Sequence, residues 1–309
     1  EGSISESRID QSVRRILVMK KQLGLFETGG MPPALEDYPN REEFEDDAAQ
    51  AALESITLLK NEGQNVVDPV QPVLPLGKSG KLFVTGPTAH SLNALNGGWT
   101  GTWQGRDTVY NTPGMPHLVE ALSNRFGIKR VVSEKLAMDF ETAEIDRVIR
   151  AIERTRPDYV VLALGEMPYT EIPGNDEDLA LFGNQKALIR AVHKMGLPTI
   201  GVFIEGRPRT FDDVEPFMDA IVMAYLPGDF GGDAIAQVLE GSYNPSGRLP
   251  FTWPRHPSSH VTYDHKHTEE IGTDFYTNGF NPQYSFSHGL SYSSVEVTDL
   301  RLEQTSYDM

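Results

Sequence analysis

Cysteine is absent from the 309 residues, so no disulfide framework, thiolate nucleophile or Cys-based zinc site can be built. Positive charge is scarce: 27 Lys and Arg stand against 44 Asp and Glu, a formal net charge of −17. Such a surface repels phosphate backbones, and no Lys/Arg stripe interleaved with aromatics occurs, which excludes nucleic acid as a partner. Neutral sugars remain compatible with it, because their recognition rests on hydrogen bonds and stacking. Long apolar runs are also missing. Nothing approaches the roughly 18 residues of a membrane-spanning segment, and Glu1 opens a polar stretch, so any targeting segment is expected upstream. No Gly-x-Gly-x-x-Gly or Gly-x-Ser-x-Gly occurs, and Gly77-Lys78-Ser79 lacks the upstream glycine of a phosphate-binding loop. Nucleotide binding and serine hydrolysis lose support, and no cofactor is expected.

What remains is an ordinary globular composition, 39% hydrophobic, in a chain long enough for one large domain plus smaller pieces. Ile9, Val13, Ile16, Leu17 and Leu23 fall at helical spacing, with Ser7 and Asp10 as a capping pair and Gly24 as the stop. An amphipathic helix with nothing before it needs a packing surface, which predicts an upstream domain. Gly29, Gly30, Pro32, Pro33 and Pro39 mark 27–40 as a linker. A helix is predicted over 41–59, with Phe44, Ala48, Ala51, Ala52, Ser55 and Leu59 on one face.

Short apolar runs then alternate with helical patterns. Lys81–Thr85, Arg130–Val132, Tyr159–Leu164, Thr199–Ile204 and Ala220–Ala224 read as strands; Met115–Phe126, Ala143–Arg154, Gln185–Lys194 and Gly232–Leu239 read as helices. Continuous β-branched runs between helices predict an α/β fold, a mostly parallel sheet sandwiched between helices. The loops starting at Thr85, Gly165, Glu205 and Tyr225 should then share the rim at the carboxyl ends of the strands, where ligands bind in such sheets. Val295, Val297, Leu300 and Leu302 alternate like one further strand.

Two segments carry chemistry. Gly165 to Asp178 crowds the carboxylates Glu166, Glu171, Asp176, Glu177 and Asp178 into a Gly/Pro loop after a strand. This is either a solvated acidic loop or a place where crowding and burial prepare one carboxyl as a general acid. Gly97-Gly98-Trp99-Thr100-Gly101-Thr102-Trp103-Gln104-Gly105 holds two of the chain's three tryptophans. They are either plugs beneath a loop or flat faces for sugar C–H groups. His256, His260, His265 and His267 with Asp264 match no zinc template, so loop histidines are the reading and no metal site is expected.

Several segments together resemble glycoside hydrolase family three, in its β-glucosidase and exo-β-glucanase branch. Arg8–Phe26 is similar to the last helix of that family's catalytic barrel, and Ser55–Asn61 with Leu74-Pro75-Leu76 to the start of its second domain. Pro227-Gly228-Asp229-Phe230-Gly231-Gly232 through Asn244–Pro250 resembles its most recognisable signature, and Tyr284–Tyr292 its exit toward a fibronectin-like domain. The resemblance implies 1–26 as a leftover barrel helix, 41–285 as the α/β sandwich domain, and 286–309 as a linker with a first fibronectin-like strand.

It further implies retaining hydrolysis of β-D-glucosides from the nonreducing end, with a barrel aspartate as nucleophile and a second-domain glutamate as acid/base. The acid/base loop of the family, Gly-Glu-x-Pro-Tyr-x-Glu followed by Gly, matches Gly165 to Gly174 and assigns Glu171, with Glu166 as runner-up. The acidic residue that usually follows is Asn175 here, with Asp176 next. Trp99 and Trp103 match the Gly-Gly-Trp-x-x-x-Trp segment, whose second tryptophan resembles a wall of the subsite for the leaving sugar. The implied partners are a β-linked oligosaccharide or glucoside and an N-terminal barrel, on the same polypeptide or a separate chain, in a secreted or periplasmic setting. A non-catalytic carbohydrate-binding module using Trp99 and Trp103, or a purely structural α/β domain, are the competing readings.

Overall fold

The computed structural model describes residues 3–30, 44–63, 71–77, 79–259, 261, 281–294, 296 and 298–299. The chain divides into two compact units, Glu1–Asp46 and Asp47–Met309. In the first, α1 (Glu6–Gln22) starts at Ser5, whose side chain accepts from the Arg8 backbone N–H. The cap is thus Ser5; Ser7 and Asp10, the pair expected from the sequence, lie inside the helix, past the one residue whose extended backbone and side-chain acceptor place it at the cap position. No α1 side chain is buried, and its apolar stripe of Ile9, Val13, Ile16 and Leu17 is about half exposed. Residues 31–40 of the expected linker lie outside the described residues, as do Val295, Val297, Leu300 and Leu302, and His260, Asp264, His265 and His267.

The second unit holds all but the first two residues of α2 (Glu45–Ser55) and a sheet formed by β1 (Thr57–Asn61), β2 (Leu82–Gly86), β3 (Val131–Lys135), β4 (Tyr159–Gly165), β5 (Thr199–Ile204) and β6 (Ala220–Met223). Its strand order is β1-β6-β5-β4-β2-β3, parallel throughout except for β1, which runs antiparallel to β6. The expected long helix over 41–59 therefore ends at Ser55, and Leu59 belongs to a strand. Apolar spacing continues smoothly across the break, but Ile56, Thr57 and Leu58 are fully buried, and the backbone groups of β1 find partners across the sheet edge on β6.

The remaining helices are α3 (Leu92–Asn96), α4 (Leu118–Phe126), α5 (Thr142–Thr155), α6 (Gly183–His193) and α7 (Gly231–Glu240). Alternate strand residues face opposite ways, so each face of the sheet collects its own core. On one, Val84, Val161, Val202 and Val222 pack with Leu122 of α4 and Ile235 of α7. On the other, Phe83, Leu162, Phe203 and Met223 pack with Val148 of α5, Ile189 of α6 and the buried Trp253. The C-terminal stretch returns to the sheet edge: Leu290 donates its backbone N–H to the Leu58 carbonyl, and the Tyr292 hydroxyl donates to the Val238 carbonyl.

Because β2, β4, β5 and β6 are parallel, their carboxyl ends open onto one rim. Gly165 ends β4 with φ of 120°, and a Cβ there would lie 2.1 Å from the Ile204 carbonyl oxygen, so the turn into the acidic loop requires glycine. At the sheet centre, Leu162→Ala would leave a cavity between β4 and the α5–α6 layer. It is expected to lower unfolding free energy by about 2–5 kcal/mol, read by urea denaturation at constant m-value.

Candidate active site

The loop after β4 is fastened along its whole length. At its root, the buried Gln185 of α6 brackets Gly165, accepting from its N–H at 2.9 Å and donating to its carbonyl at 2.7 Å. Next, Glu166 is 5% exposed and meets two arginines from the Arg207-Pro208-Arg209 segment that follows β5. Arg207 Nε donates to Oε1 at 3.0 Å, and Arg209 donates to Oε2 through Nε at 3.0 Å and Nη2 at 2.7 Å. The same guanidiniums reach the far limb: Arg207 to the Gly174 carbonyl at 2.7 Å, Arg209 to Asp176 at 2.7 Å and to the Asp178 and Ala180 carbonyls. Arg209 thereby holds the Asp176 carboxyl below its ordinary range. Planar guanidinium forks suit this task, since several donors are offered in fixed directions.

Glu171 sits at the apex, exposed, with φ of 53° and ψ of −144°. A non-glycine residue avoids that region, and holding it there costs about 1–3 kcal/mol, which the surroundings must offset. The loop before α4 does so from the opposite side. Trp103 Nε1 donates to Glu171 Oε2 at 2.9 Å, the Gln104 side chain bonds both the N–H and the carbonyl of Thr170, each at 3.2 Å, and Arg106 Nε donates to the Pro168 carbonyl at 2.9 Å. The two loops approach so closely that a Cβ on Gly98 would lie 2.6 Å from the Tyr169 carbonyl oxygen. Glycine at that position is the condition of contact.

Of the residues singled out from sequence, Glu171 and Trp103 are thus brought into direct contact. Trp99 is on the same loop, with its N–H bonded to the Trp103 carbonyl at 3.0 Å and its side chain 65% exposed. Both indoles are largely exposed, Trp103 at 51%, rather than buried as plugs beneath the loop. Glu166 is saturated by arginines and turned inward, the environment of a structural anchor. His256 is exposed, bonding the Ser259 hydroxyl through its backbone N–H, and takes no part. Sequence reasoning missed Gln104, Arg106, Arg207, Arg209 and Glu205. Gln104 lies inside the Gly97–Gly105 tryptophan segment, and the Arg207–Arg209 pair follows the loop start at Glu205 on the rim that the strand pattern pointed to.

Behind the loop lies a cleft of about 580 Å³ whose walls include Arg106, Tyr169, Phe182 and Arg207. The Arg207 guanidinium is 3.8 Å above the Tyr169 ring, a cation–π contact that fixes the ring. Burial and the Glu166 carboxylate push the Tyr169 hydroxyl up to about 12. Glu205 is fully buried beside this cluster; its Oε1 accepts from the Arg209 N–H, and Oε2 has no partner among the described residues. Burial first, and the nearby Glu166 charge second, push its carboxyl well above the ordinary range, outweighing the two arginines.

Glu205 therefore keeps its proton in the folded state at pH values where the unfolded chain has released it. The folded state then binds more protons, so this group's stabilisation is full below about pH 4.5 and is lost as pH rises toward the folded-state value. Within that window the loss is about 1.4 kcal/mol per pH unit. Glu205→Gln, isosteric and uncharged, is expected to flatten the dependence: between pH 5 and 8 the variant should gain stability relative to the parent in urea titrations. Parallel curves would show that Glu205 is ionised when buried.

Comparison with known proteins identifies the family. The family model described as "Glycosyl hydrolase family 3 C-terminal domain" matches residues 56–292. A lysosomal beta glucosidase of Dictyostelium discoideum is 35% identical over 97% of this chain and 36% of its own length. A periplasmic beta-glucosidase of Salmonella typhimurium is 27% identical over 97% of this chain and 42% of its own. Among solved structures, the beta-glucosidase from Listeria innocua in complex with isofagomine superposes with a TM-score of 0.75 at 26% identity, covering 95% of this chain and 40% of that one. The chain thus spans roughly two-fifths of the length of the proteins it matches. With the matched residues covering β1 to the returning C-terminal stretch, the chain belongs to glycosyl hydrolase family 3, as its C-terminal domain.

Proposed function

We propose that the chain supplies the acid/base half of a retaining β-glucosidase acting from the nonreducing end of β-linked glucosides. The observation that carries this reading is the Trp103–Glu171 hydrogen bond of 2.9 Å on the carboxyl-end rim. It joins a flat apolar face, fit for the C–H side of a sugar ring, to a carboxyl that can reach the ring's bridging oxygen. Glu171 hands a proton to the departing glycosidic oxygen while a nucleophile attacks the anomeric carbon; as a carboxylate it then takes a proton from the water that releases the sugar.

The nucleophile is an aspartate of a catalytic barrel, held about 5–5.5 Å from Glu171 as retaining chemistry requires. The curated relatives, more than twice as long as this chain, leave ample room for such a barrel, as part of the same polypeptide or as a separate chain. Residues 1–26 are its last helix, 27–40 the linker, 41–285 the sandwich domain and 286–309 the link toward a fibronectin-like domain. Trp103 stacks on the leaving sugar, and Trp99 forms the outer edge of that subsite. A periplasmic relative supports a location outside the cytoplasm.

In the enzyme containing this chain and its barrel, Glu171→Gln is expected to cut kcat/KM for an alkyl glucoside or a disaccharide by about 10²–10⁴-fold. An activated dinitrophenyl glucoside, whose leaving group needs no proton, should retain first-step rates within about tenfold. Equal losses on both would remove Glu171 from the role. Trp103→Ala should raise KM for disaccharides several-fold more than for aryl glucosides, measured by initial rates.

A further inference from the structure

Glu171 is gripped at two levels by consecutive residues of one loop. Trp103 holds the carboxylate, and Gln104 holds the backbone of Thr170, the residue immediately before Glu171. A carboxamide presents one acceptor and one donor side by side, so it can pair with both the N–H and the C=O of a single residue. Gln104 does this to Thr170 while the next residue, Glu171, occupies a positive-φ conformation that an L-residue does not choose. On the far side, the Glu171 carbonyl accepts from the Gly174 N–H at 2.8 Å, and the Gly174 carbonyl is taken by Arg207. The strained residue is therefore fixed from both flanks, with Gln104 alone supplying the upstream bracket among the described residues.

Resting on the acid/base reading of Glu171, we infer that Gln104 is a positioning residue for proton transfer: it holds the Thr170–Glu171 backbone in the conformation that aims the carboxyl, without touching substrate itself. The Gln185 bracket on Gly165 uses the same chemistry at the buried root of the loop, where it organises the turn. The Gln104 bracket is at the apex, one residue from the reacting group and partly exposed, where the fold gains little from it. Its loss should therefore be felt as misaimed chemistry rather than as unfolding.

The test is made in the complete enzyme with Gln104→Leu, Gln104→Glu, Glu171→Gln and the Gln104→Leu/Glu171→Gln pair. Gln104→Leu deletes the bracket, and Gln104→Glu keeps the acceptor but sets a carboxylate against the Thr170 carbonyl. Both are expected to lower kcat/KM for a disaccharide by about 10- to 100-fold while changing it less than about threefold for a dinitrophenyl glucoside. In the Glu171→Gln background, Gln104→Leu should add no further loss on the disaccharide, because both substitutions disable one step. Equal losses on the two substrates, or losses that multiply in the double variant, would overturn the positioning role. Should Gln104→Leu fail to accumulate as folded protein, the same split in Gln104→Glu decides the matter. A leaving-group split for Glu171→Gln without one for either Gln104 variant sinks this inference alone; no split for Glu171→Gln sinks the acid/base reading and with it this one.

Discussion

The Glu166–Arg209 pair ties the acidic loop to the segment that follows the neighbouring strand β5, and everything at the apex hangs from that tie. Both side chains are nearly excluded from water, at 5% and 2% exposure, so neither charge can be left alone. Removing one partner of such a buried pair costs about 3–5 kcal/mol, whereas exchanging the pair for apolar groups can cost little. Its value here is geometric. The one guanidinium also takes Asp176 and two main-chain carbonyls, so the loop's beginning and end are fixed by the same rigid fork. A lysine could not do this, having a point charge in place of a planar array.

With its two limbs anchored to the segment that follows β5, the loop can hold a costly conformation at Glu171 between them. The tryptophan loop meets it from the other side, and close contact at Gly98 lets Trp103, Gln104 and Arg106 each bond one successive part of it. Strain, ion pair and aromatic face are thus one construction. The carboxyl is exposed but not free, which suits the acid/base role proposed for it, since such a group has to be reached from solvent without reorganising its own backbone. Glu205, beside the Glu166–Arg209 pair, is held toward its protonated form, first by its complete burial and second by the neighbouring Glu166 charge.

How much of this could be read beforehand follows from which interactions are local. Thr199–Ile204 was legible because a strand buried on both faces reads as an uninterrupted run without charges, here rich in β-branched residues and bounded by Pro198 and Gly206. β1 was not, since Leu58 and Leu59 prolong a helical spacing, and only pairing with β6, more than 160 residues on, makes them a strand. The five-residue α3 is too short to show a period. At the site, Glu171 and Trp103 emerged from motif resemblance, but their hydrogen bond spans 68 positions. Gln104 stood in plain view as a polar residue without a partner, because its partner, Thr170, is brought to it only by the sheet. Trp99 was grouped with Trp103 by spacing, yet only Trp103 reaches the carboxyl.

The most direct measurement is a crystal structure of the enzyme containing this chain with a β-linked thiodisaccharide, whose sulfur bridge resists cleavage. Glu171 at the apex of its loop should lie within hydrogen-bonding reach of the bridging sulfur, with the reducing-end ring flat against Trp103 and the Thr170 bracket intact. A sugar bound elsewhere, or a Glu171 carboxyl swung away from Trp103 while the ring is in place, would contradict it.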